Sequence, residues 1–99
     1  MDAAEHERWW RERGDRELRE LLLSEWDPIG ISQLAEPQLD EYEHYAGQLM
    51  RRLRAGATEE ELAVVLEGFR KDMGLAPGDE PPAGPARAIR EWYLRSTRA

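Results

Sequence analysis

The segment Thr58-Glu59-Glu60-Glu61-Leu62 constrains this chain more than any other, because it is followed by Val65, Leu66, Phe69 and Met73 and closed by Gly74. Large apolar residues that return every three or four positions fall on one side of a helix with a period of about 3.6 residues, whereas a strand would scatter them over both faces. Thr58 and Glu61 have the spacing of a capping box, and the three glutamates sit where a helix start attracts negative charge. Arg70 and Lys71 suit the opposite end. Gly74 has the place of a left-handed closing residue, with Leu75 available for the hydrophobic contact of a Schellman ending.

A second helix is expected from about Asp40 to Ala55. Tyr42, Tyr45, Ala46, Leu49 and Leu53 keep the helical period, and Met50 borders the same stripe. Asp40 is the expected N-cap, with Glu43 three residues on. Arg51, Arg52 and Arg54 occupy the final turns, and Gly56 supplies the stop. A turn of only Gly56-Ala57 or so makes these two helices antiparallel neighbours. Pro85 fits the first turn of a further helix whose inward face is Ile89, Trp92 and Tyr93, extended by Ala86 and Ser96. Residues 76–84, rich in proline and glycine, read as a flexible loop.

Upstream, a first helix is expected from about Ala4 to Leu23. Glu7 with Arg11, Glu12 with Arg16 and Asp15 with Arg19 stand four apart on its polar side. Trp10, Leu18, Leu21 and Leu22 can share a flank with Gly14 beneath them, where the glycine allows a close approach or a kink. Residues 1–17 are expected to be a less firmly packed helical extension. Between the first two helices, 24–38 reads as an ordered connector centred on Trp26-Asp27-Pro28-Ile29-Gly30. Pro28 interrupts helical bonding and Gly30 permits a sharp turn. The expected fold is thus all-α: one compact, irregular four-helix domain over 1–99, with a short fifth helical turn placed around 32–35. Leu49, Leu53, Leu62, Leu66, Phe69, Ile89 and Trp92 are expected to meet in its core.

Charge narrows the function classes. The net charge is −7, and it is uneven: residues 1–45 hold thirteen acidic and five basic side chains, whereas residues 46–99 hold eight and nine. From Glu25 to Glu43 there are six carboxylates and no lysine or arginine. Phosphate backbones attract positive surfaces, so a nucleic-acid partner is not expected. A basic protein is the better electrostatic match, although an acidic face also serves solubility alone. No run approaches the roughly 20 apolar residues of a membrane span, so no membrane partner is expected. The acidic N-terminus with Asp2, Glu5 and Glu7 does not resemble a signal peptide, and the absence of cysteine fits an ordinary cytoplasmic protein.

Catalytic patterns are weak. Without cysteine there is neither a thiolate metal site nor a thiol nucleophile. Asp40 and His44 are four apart and could reach one ion, but further ligands would have to come from the connector. Asp27 beside Pro28 reads more simply as a backbone turn than as an acid/base group. No glycine-rich phosphate loop is present. The expectation is a chain without enzymatic activity, cofactor or metal.

Leu21-Leu22-Leu23-Ser24-Glu25-Trp26-Asp27-Pro28-Ile29-Gly30 resembles a leucine-rich helix and WDPIG-type connector found in a group of small acidic helical bacterial proteins. Asp40-Glu41-Tyr42-Glu43-x-Tyr45 and Met73-Gly74-Leu75 are similar to that group too, so the resemblance covers roughly 18–75. The group is mostly uncharacterised, and it is similar in turn to toxin-associated immunity proteins. The resemblance implies a protein-binding inhibitor that neutralises a basic bacterial toxin. Trp26 and Tyr42 would then be aromatic anchors, and Asp27, Glu36, Asp40, Glu41 and Glu43 would supply charge complementarity. Core packing is the alternative role for Trp26, Tyr42 and Tyr45, and the two roles can coexist on one ring. The alternative function is a structural or regulatory interaction module, as a homodimer burying Trp92, Tyr93 or Trp26 across its axis.

Overall fold

A computed structural model describes residues 2–26, 42–75 and 81–97. They form four helices and no strand. Helix α1 spans 3–26 and winds unevenly: α-helical Ala3–Trp9 and Asp15–Leu21 alternate with wider π turns at Trp10–Gly14 and Leu22–Trp26. Helices α2 (Glu43–Arg54), α3 (Glu59–Asp72) and α4 (Ala83–Thr97) are regular. Helix α1 packs on α2 and α4, and α3 packs on α2 and most broadly on α4, so the four enclose one core. Among the described residues no helix is long and apolar enough to cross a membrane.

The caps explain where the elements begin and end. Asp2 accepts the amide of Glu5 at 2.8 Å and so opens α1. Thr58 and Glu61 form the reciprocal capping box at the head of α3. Gly56 and Gly74 adopt φ of 88° and 79°, in the left-handed region that glycine enters without a Cβ penalty. Both close Schellman motifs: Gly56 N–H donates to Leu53 O and Ala57 N–H to Arg52 O, and Gly74 and Leu75 repeat the pattern on Lys71 and Arg70. Helix α4 starts at Ala83, inside the stretch expected to be loop, because Pro82 and Pro85 fall where a helix start has no use for their missing N–H groups. Helix α2 begins at Glu43, with Tyr42 as its flanking residue and no side-chain cap. Asp40, expected as its N-cap, lies outside the described residues, as do the fifth turn at 32–35 and the loop centre at 76–80.

The seven residues expected to meet in the core are all buried in one cluster, together with Leu18, Leu22, Tyr42 and Ala46. Burying such a side chain fully is worth about 1.5–3 kcal/mol each.

The first helix departs most from its expected form. Its start, 3–17, carries three inward positions, His6, Trp9 and Gly14, of which His6 is only 7 % exposed. Trp9, not Trp10, takes the core position; Trp10 is half-buried beside it. The π turn is the reason Gly14 is tolerated and needed. Residues five apart are separated by about 140° around an α-helix, but wider winding brings them closer to one face. The indole of Trp9 therefore lies across Gly14, where a Cβ would sit 2.9 Å from its Cη2. The group that approaches the glycine is the helix's own tryptophan rather than another helix. On the polar side, Asp15 pairs with Arg19 at 3.1 Å, while Arg16 turns to Glu20 instead of Glu12 and Arg13 pairs with Glu17.

Candidate functional site

Of the side chains expected to meet a partner, Asp27, Glu36, Asp40 and Glu41 lie outside the described residues. Trp26, Tyr42 and Glu43 lie within them, and the fold brings the two rings together. Trp26 ends α1, and Tyr42 precedes α2; their ring centroids are 5.7 Å apart. Phe69 of α3 and Tyr45 complete the cluster, at 6.1 and 6.4 Å from Trp26, with Tyr45 and Phe69 themselves at 4.6 Å. Tilted and edge-on aromatic pairs at these distances add about 0.5–1.5 kcal/mol beyond their burial.

Their accessibility differs. Tyr42 has no exposed surface and packs in the core. Trp26 is half-buried, and Glu43 is exposed on the first turn of α2. The Trp26 Nε1 atom is buried and has no hydrogen-bond partner among the described residues. An unsatisfied buried donor costs about 1–3 kcal/mol. His44 is exposed and hydrogen-bonds Gln48 at 2.7 Å, with its ring edge-on to Tyr45. It is held as a surface residue, and among the described residues no group of three His, Asp or Glu could hold a metal ion.

A second constellation was not legible as a site. His6 Nε2 lies 2.9 Å from the Tyr93 hydroxyl, joining the first turns of α1 to the last turns of α4. Trp9 sits edge-on to His6 and Tyr93, at 5.3 and 6.1 Å, and 5.6 Å from Trp92. The Trp92 indole N–H donates to Glu17 at 2.9 Å. Burial lowers the pKa of His6, with the nearby Arg54 acting in the same direction. Burial raises the pKa of Tyr93, against a smaller opposing effect of Arg54. Near neutrality the pair is therefore an uncharged imidazole bonded to an intact phenol. That state suits a clasp between helix ends and leaves no phenolate to act as a nucleophile. The spacing of His6, Trp9 and Trp10 carried a signal, since these are three and four apart, but nothing local points to Tyr93 as the partner of His6.

Beside this clasp a half-open cleft of about 300 Å³ separates α1 from α2. His6, Glu7 and Trp10 form one wall, and Gly47, Met50, Arg51 and Arg54 form the other. The dimer expectation also meets a constraint here. Trp92 is 7 % exposed and turned inward, and Tyr93 is half-buried against His6. Exposed large apolar side chains occur at Val64, 66 % exposed, beside a depression formed with Ala63, Pro81 and Ala83, and at Leu94, 41 % exposed on α4. Comparison with protein-family models, with characterised proteins and with solved structures finds no match to the chain.

Proposed function

We propose that this chain is a non-enzymatic protein-binding inhibitor, an immunity-type protein that neutralises a basic toxin by occupying its surface. The observation that carries the reading is the charge of one segment. Glu25 to Glu43 contributes six carboxylates and no cation, in a chain whose remaining part is close to neutral. The described ends of that segment fit the role. Trp26 offers a half-buried ring, and Glu43 stands exposed next to Tyr42. A basic surface would be drawn in by the carboxylates. Its contact with a partly exposed aromatic would supply desolvated area of the sort that dominates binding energy. Tyr42, fully buried, packs against the Trp26 ring.

The test is co-purification on the tagged chain from cells that encode it, repeated with the Glu41→Lys/Glu43→Lys double variant. The reading expects one basic protein in stoichiometric amount, its activity inhibited by the chain, and binding lost on charge reversal while helical content and unfolding midpoint stay unchanged. Equal recovery by both forms would remove this face from the complex.

A second reading, a homodimeric interaction module, has exposed Val64 and the apolar depression beside it in its favour. Molar mass measured across a wide concentration range separates the two: a monomer throughout favours the inhibitor, and a concentration-dependent dimer favours the module.

A further inference from the structure

We propose that the cleft between α1 and α2 binds a small aromatic anion, a flat ring bearing a carboxylate or phosphate group. This site is separate from the acidic face and does not depend on the inhibitor reading. Its volume, about 300 Å³, is at the lower end of the range for small-ligand sites.

The charge of its wall is the first argument. The chain carries an excess of seven negative charges. Arg13, Arg16, Arg19 and Arg87 each lie within ion-pairing distance of a carboxylate, whereas other arginines, Arg8, Arg11 and Arg95 among them, have no ion pair among the described residues. Arg51 and Arg54 are exposed on the cleft and have no ion pair among the described residues. The helix dipole favours cations at the end of α2, but it favours Arg52 equally. Arg52 does not line this cleft; it lines one depression with Glu60 and Glu61 and a second, smaller one with Gln48 and Arg51. Two guanidinium groups one helical turn apart can take a carboxylate or phosphate through charge-assisted hydrogen bonds.

The shape of the wall is the second argument. Half-buried Trp10 offers a ring face and Met50 a polarisable thioether, which suit a flat apolar body. At Gly47 no atom lies within 4 Å of the place a Cβ would occupy, so this position leaves room instead of filling it. Glu7 stands on the same wall as Trp10 and orients the ligand, with its anionic end towards Arg51 and Arg54.

The experiment is titration of the isotope-labelled full chain, followed by NMR at the Trp10 indole N–H and the Gly47 amide. The probes are benzoate and phenyl phosphate, with benzamide as the neutral and benzamidine as the cationic isostere. The proposal expects saturable shifts at both positions with at least one anion, and affinity for benzamide lower by about tenfold or more, the worth of a charged hydrogen bond. Benzamidine should not bind. Arg51→Glu/Arg54→Glu should abolish the response and Arg52→Glu should keep it. Gly47→Leu, which fills the space without touching a charge, should also abolish it in a folded domain. Absence of saturable shifts with both anions would overturn the proposal, as would equal binding of benzamide or equal loss in Arg52→Glu.

Discussion

His6 and Tyr93, 87 positions apart in the chain, share a hydrogen bond of 2.9 Å that ties the beginning of α1 to the end of α4. Its protonation state makes the tie sensitive to acid. Burial disfavours the imidazolium, so the folded pKa lies below the ordinary value of 6.5. On acidification the unfolded chain takes up this proton before the folded one does. The contribution of His6 is therefore complete above pH 6.5 and is lost as the pH falls from there through the folded value. Urea unfolding at steps between pH 7.5 and 5 should show a fall in stability that is absent in His6→Gln. An identical pH slope in both proteins would place the sensitivity elsewhere.

Gly14 should resist even the smallest substitution. Alanine is normally favoured over glycine inside a helix by about 1 kcal/mol. Here its Cβ would meet Trp9 at 2.9 Å and Trp10 at 3.0 Å. Trp9 cannot simply swing aside, because His6, Trp92 and Tyr93 surround its ring. Overpacking of this kind costs about 1–3 kcal/mol, so Gly14→Ala should be net destabilising. Gly68, exposed within α3 and with nothing near its missing Cβ, is the control. Gly68→Ala should stabilise the domain by up to about 1 kcal/mol. Thermal unfolding of the two variants should move in opposite directions.

These two glycines also mark what could be read from the sequence. Helix α3 was legible to its caps, since Thr58, Glu61 and Gly74 act through bonds within a few residues of themselves. The stripes of α2, α3 and α4 were legible because each is regularly wound. In α1 the π turns break the assumption on which periodicity rests, so Trp10 was assigned the inward place that Trp9 holds. Glu17 pairing with Trp92, and His6 with Tyr93, could not be found from spacing at all: each partner comes from the other end of the chain. Trp26 and Tyr42 were singled out from the sequence, but the meeting of their rings and the burial of Tyr42 depend on how α1, α2 and α3 converge, which no local pattern encodes.

The Trp92–Glu17 bond offers a third measurement. Trp92 is buried, and its N–H donates to a carboxylate that also pairs with Arg13. Glu17→Ala removes the acceptor and leaves the indole donor unsatisfied, at a cost of about 1–3 kcal/mol. Glu17→Gln keeps an acceptor oxygen and should recover most of that loss. Equal destabilisation by both substitutions would mean that the charge pairing with Arg13, and not the indole bond, carries the effect.

Position 66 against position 64 tests the core itself. Both lie on α3, two residues apart, and their exposures are opposite: Leu66 is fully buried while Val64 is 66 % exposed. Leu66→Ala removes methyl and methylene groups from the centre of the cluster that joins α2, α3 and α4, and should cost about 2–5 kcal/mol. For a domain of 99 residues that is a large fraction of a typical stability of about 5–15 kcal/mol, so the unfolding midpoint of the variant should fall steeply. Val64→Ala removes only surface that water already reaches, and it should shift the unfolding midpoint within about 0.5 kcal/mol of zero. A loss at position 64 comparable to that at position 66, seen at high but not at low protein concentration, would instead reveal a buried contact between two copies of the chain.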